Sequence, residues 1–235
     1  GATSARVEGS VDLDPGLTGA TRLTDLSGAR GLGVTLGRLE FSFAGGPRTA
    51  IDLTGADSVQ DVTNRITSSI RDYEQANSVT VLGPGGVSFS GGHLTVDVAP
   101  ASSGPNPQLQ FFDSTNGVTA QDLGLAGNPA FSFVAGSPDG LDLAAKLTWQ
   151  TPISALRGVT GSLGSIKLNN LGQSRVIDLS SAATLEDVKN LIEGSGVGVR
   201  VELNADRTSI NVVNETSAGR AQAMSIEEVL EGYGA

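Results

Sequence analysis

Apolar and polar residues alternate along several short segments, and this pattern predicts a chain rich in β-strands. Residues 38–43 (Arg-Leu-Glu-Phe-Ser-Phe) have the two-residue period of a half-buried strand. Residues 49–53 predict the returning strand of a β-hairpin, since Gly45-Gly46-Pro47 between them favours a turn. Further short strands are expected at residues 79–82, 87–89, 94–98, 109–112, 196–203 and 209–213.

Apolar residues three or four positions apart predict two main helices. Ser58 and Thr184 are suited to cap them. Asp61 and Asp187 stand three residues later, where a carboxylate completes a capping box and faces the positive end of the helix dipole. The expected buried stripes are Val62, Ile66 and Ile70 in the first helix and Val188, Leu191 and Ile192 in the second. A single helical turn is expected over 21–26 and a short helix over 225–231, with Ile226 and Leu230 inward.

The same order of elements occurs twice along the chain. Residues 21–66 align with residues 151–192, so that Ile51-Asp52-Leu53 matches Ile177-Asp178-Leu179. A repeat of this length indicates two copies of one folding unit. The predicted fold is therefore α+β, with two sequential homologous domains, each a twisted antiparallel sheet with one main packed helix. The expected domains are residues 1–127 and residues 128–235, the second truncated at its C-terminal end.

Composition excludes several classes of protein. The 235 residues include 15 basic and 25 acidic side chains, for a formal net charge of −10, and the basic ones are scattered, so a nucleic-acid partner is not expected. The absence of cysteine excludes disulfides and thiol chemistry. No apolar run approaches the ~20 residues of a membrane helix, so no membrane partner is expected. Seven Phe, two Tyr and one Trp are few for a surface that stacks on sugars or bases.

The ionisable residues form no recognisable catalytic or metal-binding motif. His93 is the only histidine, so a Ser-His-Asp arrangement would have to use it, and its place after a Gly-Gly turn favours an exposed hairpin position. The remaining candidates are pairs of carboxylates, and none has the spacing of a calcium loop. These pairs are Asp12 with Asp14, Asp139 with Asp142, and Asp61 with Asp187, of which the last is explained by helix capping.

Glycine-rich and sequon-like segments add no site. Gly28-Ala-Arg-Gly-Leu-Gly has the wrong spacing for a dinucleotide fingerprint, and no phosphate-binding G-x-x-x-x-G-K-[ST] loop occurs. Asn214-Glu-Thr216 is a glycosylation sequon, which is short enough to arise by chance. We therefore expect no catalytic residues, no metal and no cofactor, and an enzyme is not predicted.

Three sequence patterns carry a family resemblance. Residues 12–28 follow the pattern D-L-x-P-x-L-T-x-x-T-x-L-x-D-L-x-G, and residues 117–125 follow G-x-T-A-x-D-L-G-L. Residues 51–66 and 177–192 each place I-D-L before S/T-x-x-D-V-x-x-x-I. Together they resemble the hook "IN" motif family of bacterial flagellar axial proteins, which includes flagellins. The usual Ile-Asn of that motif is Ile66-Thr67 in one copy and Ile192-Glu193 in the other.

The resemblance implies a structural component of the bacterial flagellum. The favoured role is the surface-exposed middle domains of a hook-associated protein at the hook–filament junction; a filament cap protein or a flagellin outer domain is the alternative within the family. Such a protein would be extracellular and exported without a cleaved signal peptide. It would contact other axial subunits through regions outside this chain, and the chain itself would be monomeric. The absence of long heptad helices and the ending at Gly232-Tyr-Gly-Ala favour the excised middle of a longer protein.

Two other classes of function stay open. A cell-surface adhesin or carbohydrate-binding module would use the glycine-rich loops and predicts a groove with clustered aromatic side chains. An enzyme predicts a deep pocket with at least two ionisable groups of strongly perturbed pKa.

Overall fold

The computed structural model describes residues 6–215 and 224–229, which form an α+β fold whose paired strands are all antiparallel. The predicted α+β class is confirmed. The helices of this part of the chain are α1 (Val59–Asn77), α2 (Thr119–Asp122) and α3 (Leu185–Glu193). Its strands are β1 (Arg6–Glu8), β2 (Arg38–Phe43), β3 (Thr49–Asp52), β4 (Leu82–Ser90), β5 (His93–Val98), β6 (Leu109–Asp113), β7 (Asp139–Asp142), β8 (Ser165–Asn170), β9 (Gln173–Asp178), β10 (Val199–Leu203), β11 (Ile210–Asn214) and β12 (Ser225–Val229).

The chain divides into two compact units. The continuous unit comprises residues 16–145, and the discontinuous unit comprises residues 1–15 together with residues 146–235. This division differs from the predicted boundary between residues 127 and 128. Residues 128–145 belong to the continuous unit because Phe133 lies in its core and β7 pairs with β5. Residues 6–8 belong to the discontinuous unit because β1 pairs with β11.

Each unit contains two three-stranded sheets where the sequence predicted one sheet. In the continuous unit the strand orders are β3-β2-β6 and β4-β5-β7. In the discontinuous unit they are β9-β8-β12 and β10-β11-β1. The two units therefore have the same arrangement, with α1 and α3, β6 and β12, and β7 and β1 in equivalent places.

Each unit buries its own apolar core. In the continuous unit the predicted stripe of α1 (Val62, Ile66 and Ile70) is fully buried with Leu39 and Phe41 of β2. In the discontinuous unit Val188 and Ile192 of α3 are buried with Leu168 of β8 and Val201 of β10, while Leu191 is partly buried beside them. Burial of these side chains away from water is the main stabilising contribution to each unit.

Most local predictions are confirmed. The hairpin between residues 38 and 53 forms, and the helical turn expected over 21–26 is a 3₁₀ turn at Leu23–Asp25. A second 3₁₀ turn lies at the equivalent place of the repeat, Ile153–Ala155. The two strands expected at 79–82 and 87–89 are replaced by one strand, β4, which begins at Leu82 and leaves residues 79–81 outside the sheet. Its register shifts between Leu82 and Val87.

The helix predicted over residues 225–231 is wrong where the structure describes it. Residues 225–229 form β12, which pairs along its length with β8, and Ile226 lies opposite Leu168. Leu230 and Glu231 lie outside the described residues. The three- and four-residue spacing of Ile226, Val229 and Leu230 is typical of a helix, but the free edge of β8 offers five residues of backbone pairing, which decides the conformation.

Candidate functional site

Equivalent capping boxes begin α1 and α3. The hydroxyl of Ser58 accepts a hydrogen bond from the backbone N–H of Asp61 at 3.2 Å, and Thr184 accepts from Asp187 at 3.3 Å. The Ser58 hydroxyl, with the N–H groups of Asp57 and Ser58, holds the pKa of Asp61 below its ordinary value. The Thr184 and Ala183 N–H groups and the Thr184 hydroxyl lower the pKa of Asp187 in the same way. Both aspartates therefore organise a helix end, as the sequence predicted.

The segments that precede the caps also make matching bonds. The N–H of Thr18 donates to the Thr21 hydroxyl at 2.9 Å, and the N–H of Thr148 donates to the Thr151 hydroxyl at 2.8 Å. Isolated bridges join Arg22 to Ser58 and Pro152 to Thr184. The repeated sequence thus corresponds to repeated hydrogen bonds, down to single atoms.

Thr67 and Glu193 occupy the position at which the motif that this sequence resembles has asparagine, and both accept a backbone hydrogen bond. The hydroxyl of Thr67 accepts a hydrogen bond from the N–H of Val87 in β4 at 3.0 Å. The Oε1 atom of Glu193 accepts from the N–H of Val201 in β10 at 2.9 Å. Each side chain links a helix to the strand that follows it, which is a bond that an asparagine side chain could also make.

A buried ion pair fixes the glycine-rich loop of the continuous unit. The Asp122 side chain is fully buried; its Oδ1 is 2.6 Å from Nε of Arg30, and its Oδ2 accepts from the N–H of Thr35 at 3.0 Å. Arg30 lies in Gly28-Ala-Arg-Gly-Leu-Gly, and Gly28 has φ of +71°. The aspartate of the G-x-T-A-x-D-L-G-L segment therefore has a packing role.

The other carboxylates singled out by sequence serve as turn and surface groups. Asp12 accepts from the N–H of Asp14 at 2.9 Å, and Asp142 accepts from the N–H of Ala144 at 2.7 Å. Asp139 lies 3.3 Å from Nε2 of His93, at the start of β5. No group of three or more metal-ligating side chains comes together within residues 6–215 and 224–229. In the same ranges no helix has the length and hydropathy to cross a bilayer.

The sequon asparagine has a structural partner. Asn214 ends β11, and its Oδ1 accepts a hydrogen bond from Nδ2 of Asn170 at 3.1 Å. Thr216, the third residue of the sequon, lies outside the described residues.

The continuous unit contains a cavity of about 310 Å³ between β6, the start of β3 and the loop at residues 126–131. Its aromatic lining is Phe111, Phe112 and Phe131. The guanidinium of Arg48 lies 3.8 Å from the centroid of the Phe112 ring, a cation–π contact. The remaining lining residues are Gln110, Asp113, Gln121, Ala126, Gly127 and Ala130.

Phe131 is fixed in the cavity wall by its neighbours. Its ring packs edge-to-face on Phe133 with centroids 5.4 Å apart, and Phe133 packs on Phe111 at 5.7 Å. A Cβ at Gly127 would lie 3.2 Å from Cε1 of Phe131, so glycine lets the ring lie close to the backbone. Packing on Phe133 and the close approach to Gly127 therefore hold the Phe131 ring in the wall of the cavity.

Comparison with known proteins identifies no relative of this chain. No family model, curated protein or solved structure matches this chain. The interpretation of the site accordingly rests on its residues and on the motif resemblance.

Sequence reasoning missed the cavity because it counted aromatic residues without locating them. Four of the seven phenylalanines fall between residues 111 and 133, in the patterns Phe-Phe and Phe-Ser-Phe. This concentration within 23 residues of a chain otherwise poor in aromatic side chains was the available signal.

Proposed function

We propose that this chain forms surface-exposed structural domains of a bacterial flagellar hook-associated protein at the hook–filament junction. The observation that carries the proposal is that the motif residues of both copies form the same bonds. Capping, bridging and helix-to-strand linking recur at equivalent places in the continuous and discontinuous units. These are the properties of a duplicated scaffold, and none of the residues concerned needs a reactive group.

The departures from the family motif are compatible with this role. Thr67 and Glu193 replace the usual asparagine, yet each accepts a backbone N–H from the next strand. The substitution changes the side chain and keeps the acceptor. A motif defined by such a bond tolerates any residue that presents an oxygen at the required distance.

The path of the chain also suits a part that projects from a larger body. The described residues nearest both ends, β1 and β12, belong to the discontinuous unit, and residues 16–145 are inserted between them. Insertion of one compact unit into another enlarges an exposed surface without changing the points of attachment.

Two experiments test the proposal. The gene that encodes this chain is expected to encode heptad-rich helical segments on both sides of it. Antibodies raised against the chain are expected to label the junction between hook and filament when flagella of the source bacterium are viewed by electron microscopy. Labelling at the filament tip or along the filament would instead favour the cap protein or flagellin, and absence from flagella would refute a flagellar role.

A further inference from the structure

Two polar or aromatic residues of the cavity have counterparts of a different kind on β12, among the described residues of the other unit. Through their common pairing with β2 and β8, Phe112 of β6 is equivalent to Glu227 of β12, and Gln110 is equivalent to Ser225. The discontinuous unit forms the same sheet without an aromatic residue at the Phe112 position. The pairing of this sheet therefore does not require an aromatic side chain at the half-exposed Phe112 position.

The charges of the cavity balance. Arg48 and Asp113 are its only charged lining residues, and Arg48 already lies over Phe112 with Nη1 3.4 Å from Oε2 of Glu40. A free cation that would attract a phosphate or a carboxylate is therefore lacking among the lining residues. An uncharged ligand fits this balance better than an ionic one.

The two amide side chains of the cavity keep groups that a ligand could bind. Nε2 of Gln110 donates to the hydroxyl of Ser132 at 2.9 Å, and Nε2 of Gln121 donates to Oδ2 of Asp113 at 2.7 Å. Each amide thus commits one of its two N–H donors to the protein, and its oxygen makes no hydrogen bond to the described residues. The carboxylate of Asp113 also accepts from the N–H of Ala120 at 2.6 Å, so the amides are the polar groups left for a ligand, and they favour one whose hydroxyls both donate and accept.

We propose that this cavity binds a neutral saccharide. The apolar C–H face of a sugar ring would lie on Phe131, while its hydroxyls donate to the oxygens of Gln110 and Gln121. The cavity volume of about 310 Å³ is at the small end of the ~300–1,000 Å³ range of small-molecule sites. Because the ring of Phe131 is held by Phe133, little conformational freedom is lost when a ligand binds. This binding is independent of any flagellar location.

The full chain tests the proposal on an array of neutral hexose, N-acetylhexosamine, sialylated and sulfated oligosaccharides. We expect retention on neutral glycans only, followed by calorimetric titration with the best of them. Gln121→Ala and Phe131→Ala should each weaken that binding at least ~10-fold, while Phe131→Tyr, which keeps the ring, should bind nearly as well as the unmodified chain.

Matched substitutions in the other unit separate binding from stability. Gln173→Ala and Arg175→Ala change exposed residues of β9 and should leave binding unchanged. Urea unfolding of each variant shows whether it is folded, and the exposed Gln121 provides a test even if Phe131→Ala unfolds. Retention of no neutral glycan, retention of acidic glycans alone, or equal binding by Gln121→Ala would overturn the proposal, whichever structure the antibodies label.

Discussion

At the scale of single residues, two aspartates 126 positions apart cap their helices in the same way. Asp61 and Asp187 each accept backbone N–H groups from the two residues before the helix. Their geometry makes the carboxylate form the stabilising one, because a protonated carboxyl is a weaker acceptor and loses the interaction with the helix dipole.

The stability of the chain should therefore depend on these carboxylates at acid pH. The folded-state pKa of each is lowered below the ordinary value of 3.8. The contribution of the two carboxylates to the free energy of unfolding is complete at pH values well above 3.8. It is lost as the pH falls through 3.8 and then through the lowered pKa. Urea unfolding of the unmodified chain is expected to show this decline between about pH 5 and pH 3. The Asp61→Asn, Asp187→Asn double variant should show a smaller decline.

An exposed carboxylate on the same helix provides the control for that experiment. Asp72→Asn removes one negative charge from α1 without altering the cap. An equal pH dependence in the Asp61→Asn single variant and the Asp72→Asn variant, which each remove one charge from the same helix, would show that net charge, and not capping, governs the acid response.

At the scale of elements, pairing with a neighbour decides what local spacing leaves open. The caps, the hairpin and the apolar stripes of α1 and α3 could be predicted because each depends on residues within one short segment. The conformation of β12 could not, since it depends on the edge of β8, some 60 residues earlier. The sequence repeat was a signal for this strand, because β6 pairs with β2 in the first copy as β12 pairs with β8 in the second.

The links from helix to strand give an element-scale prediction. Thr67→Ala and Glu193→Ala should each lower the free energy of unfolding by about 1 kcal/mol, because the N–H of Val87 or Val201 loses its acceptor. Thr67→Ser and Glu193→Gln keep an oxygen at a similar reach and should recover most of the loss. Urea unfolding followed by circular dichroism measures all four variants.

Hydrogen exchange adds a local readout for the same variants. Exchange of the Val87 amide should accelerate in Thr67→Ala, while exchange of Val201, which is in the other unit, stays as it was. If the Ala and conservative variants were equally stable, these side chains would have no part in holding helix to sheet.

At the scale of the whole molecule, the sequence repeat and the compact units do not share their boundaries. The sequence pattern predicted two copies, but not that β7 would pair with β5 or that β1 would pair with β11. The cavity could not be predicted from the sequence either. Its lining residues Arg48 and Phe131 are far apart in sequence, and the pairing of β2 with β3 and β6 brings their segments together. Long-range pairing of this kind has no short-range pattern in sequence.

Fragments distinguish the two divisions of the chain. Residues 16–145 alone are expected to unfold cooperatively, because the core of the continuous unit lies within them. Residues 1–127 should be less stable, since they lack Phe133, Leu143 and β7. Thermal unfolding monitored by circular dichroism compares them, and a fragment 1–127 at least as stable as fragment 16–145 would support the boundary near residue 127.

The insertion of one unit into the other also determines how the molecule carries force. A pull applied between β1 and β12 is transmitted first through the sheets of the discontinuous unit, because β1 is held by β11 and β12 by β8. The N–H groups of Gly9 and Leu13 also donate to Ile210 and Thr208, so the segment that leads to residue 16 is bonded to this unit beyond the three residues of β1. These bonds and the pairing of β1 must therefore break before a load passes along this segment to residues 16–145.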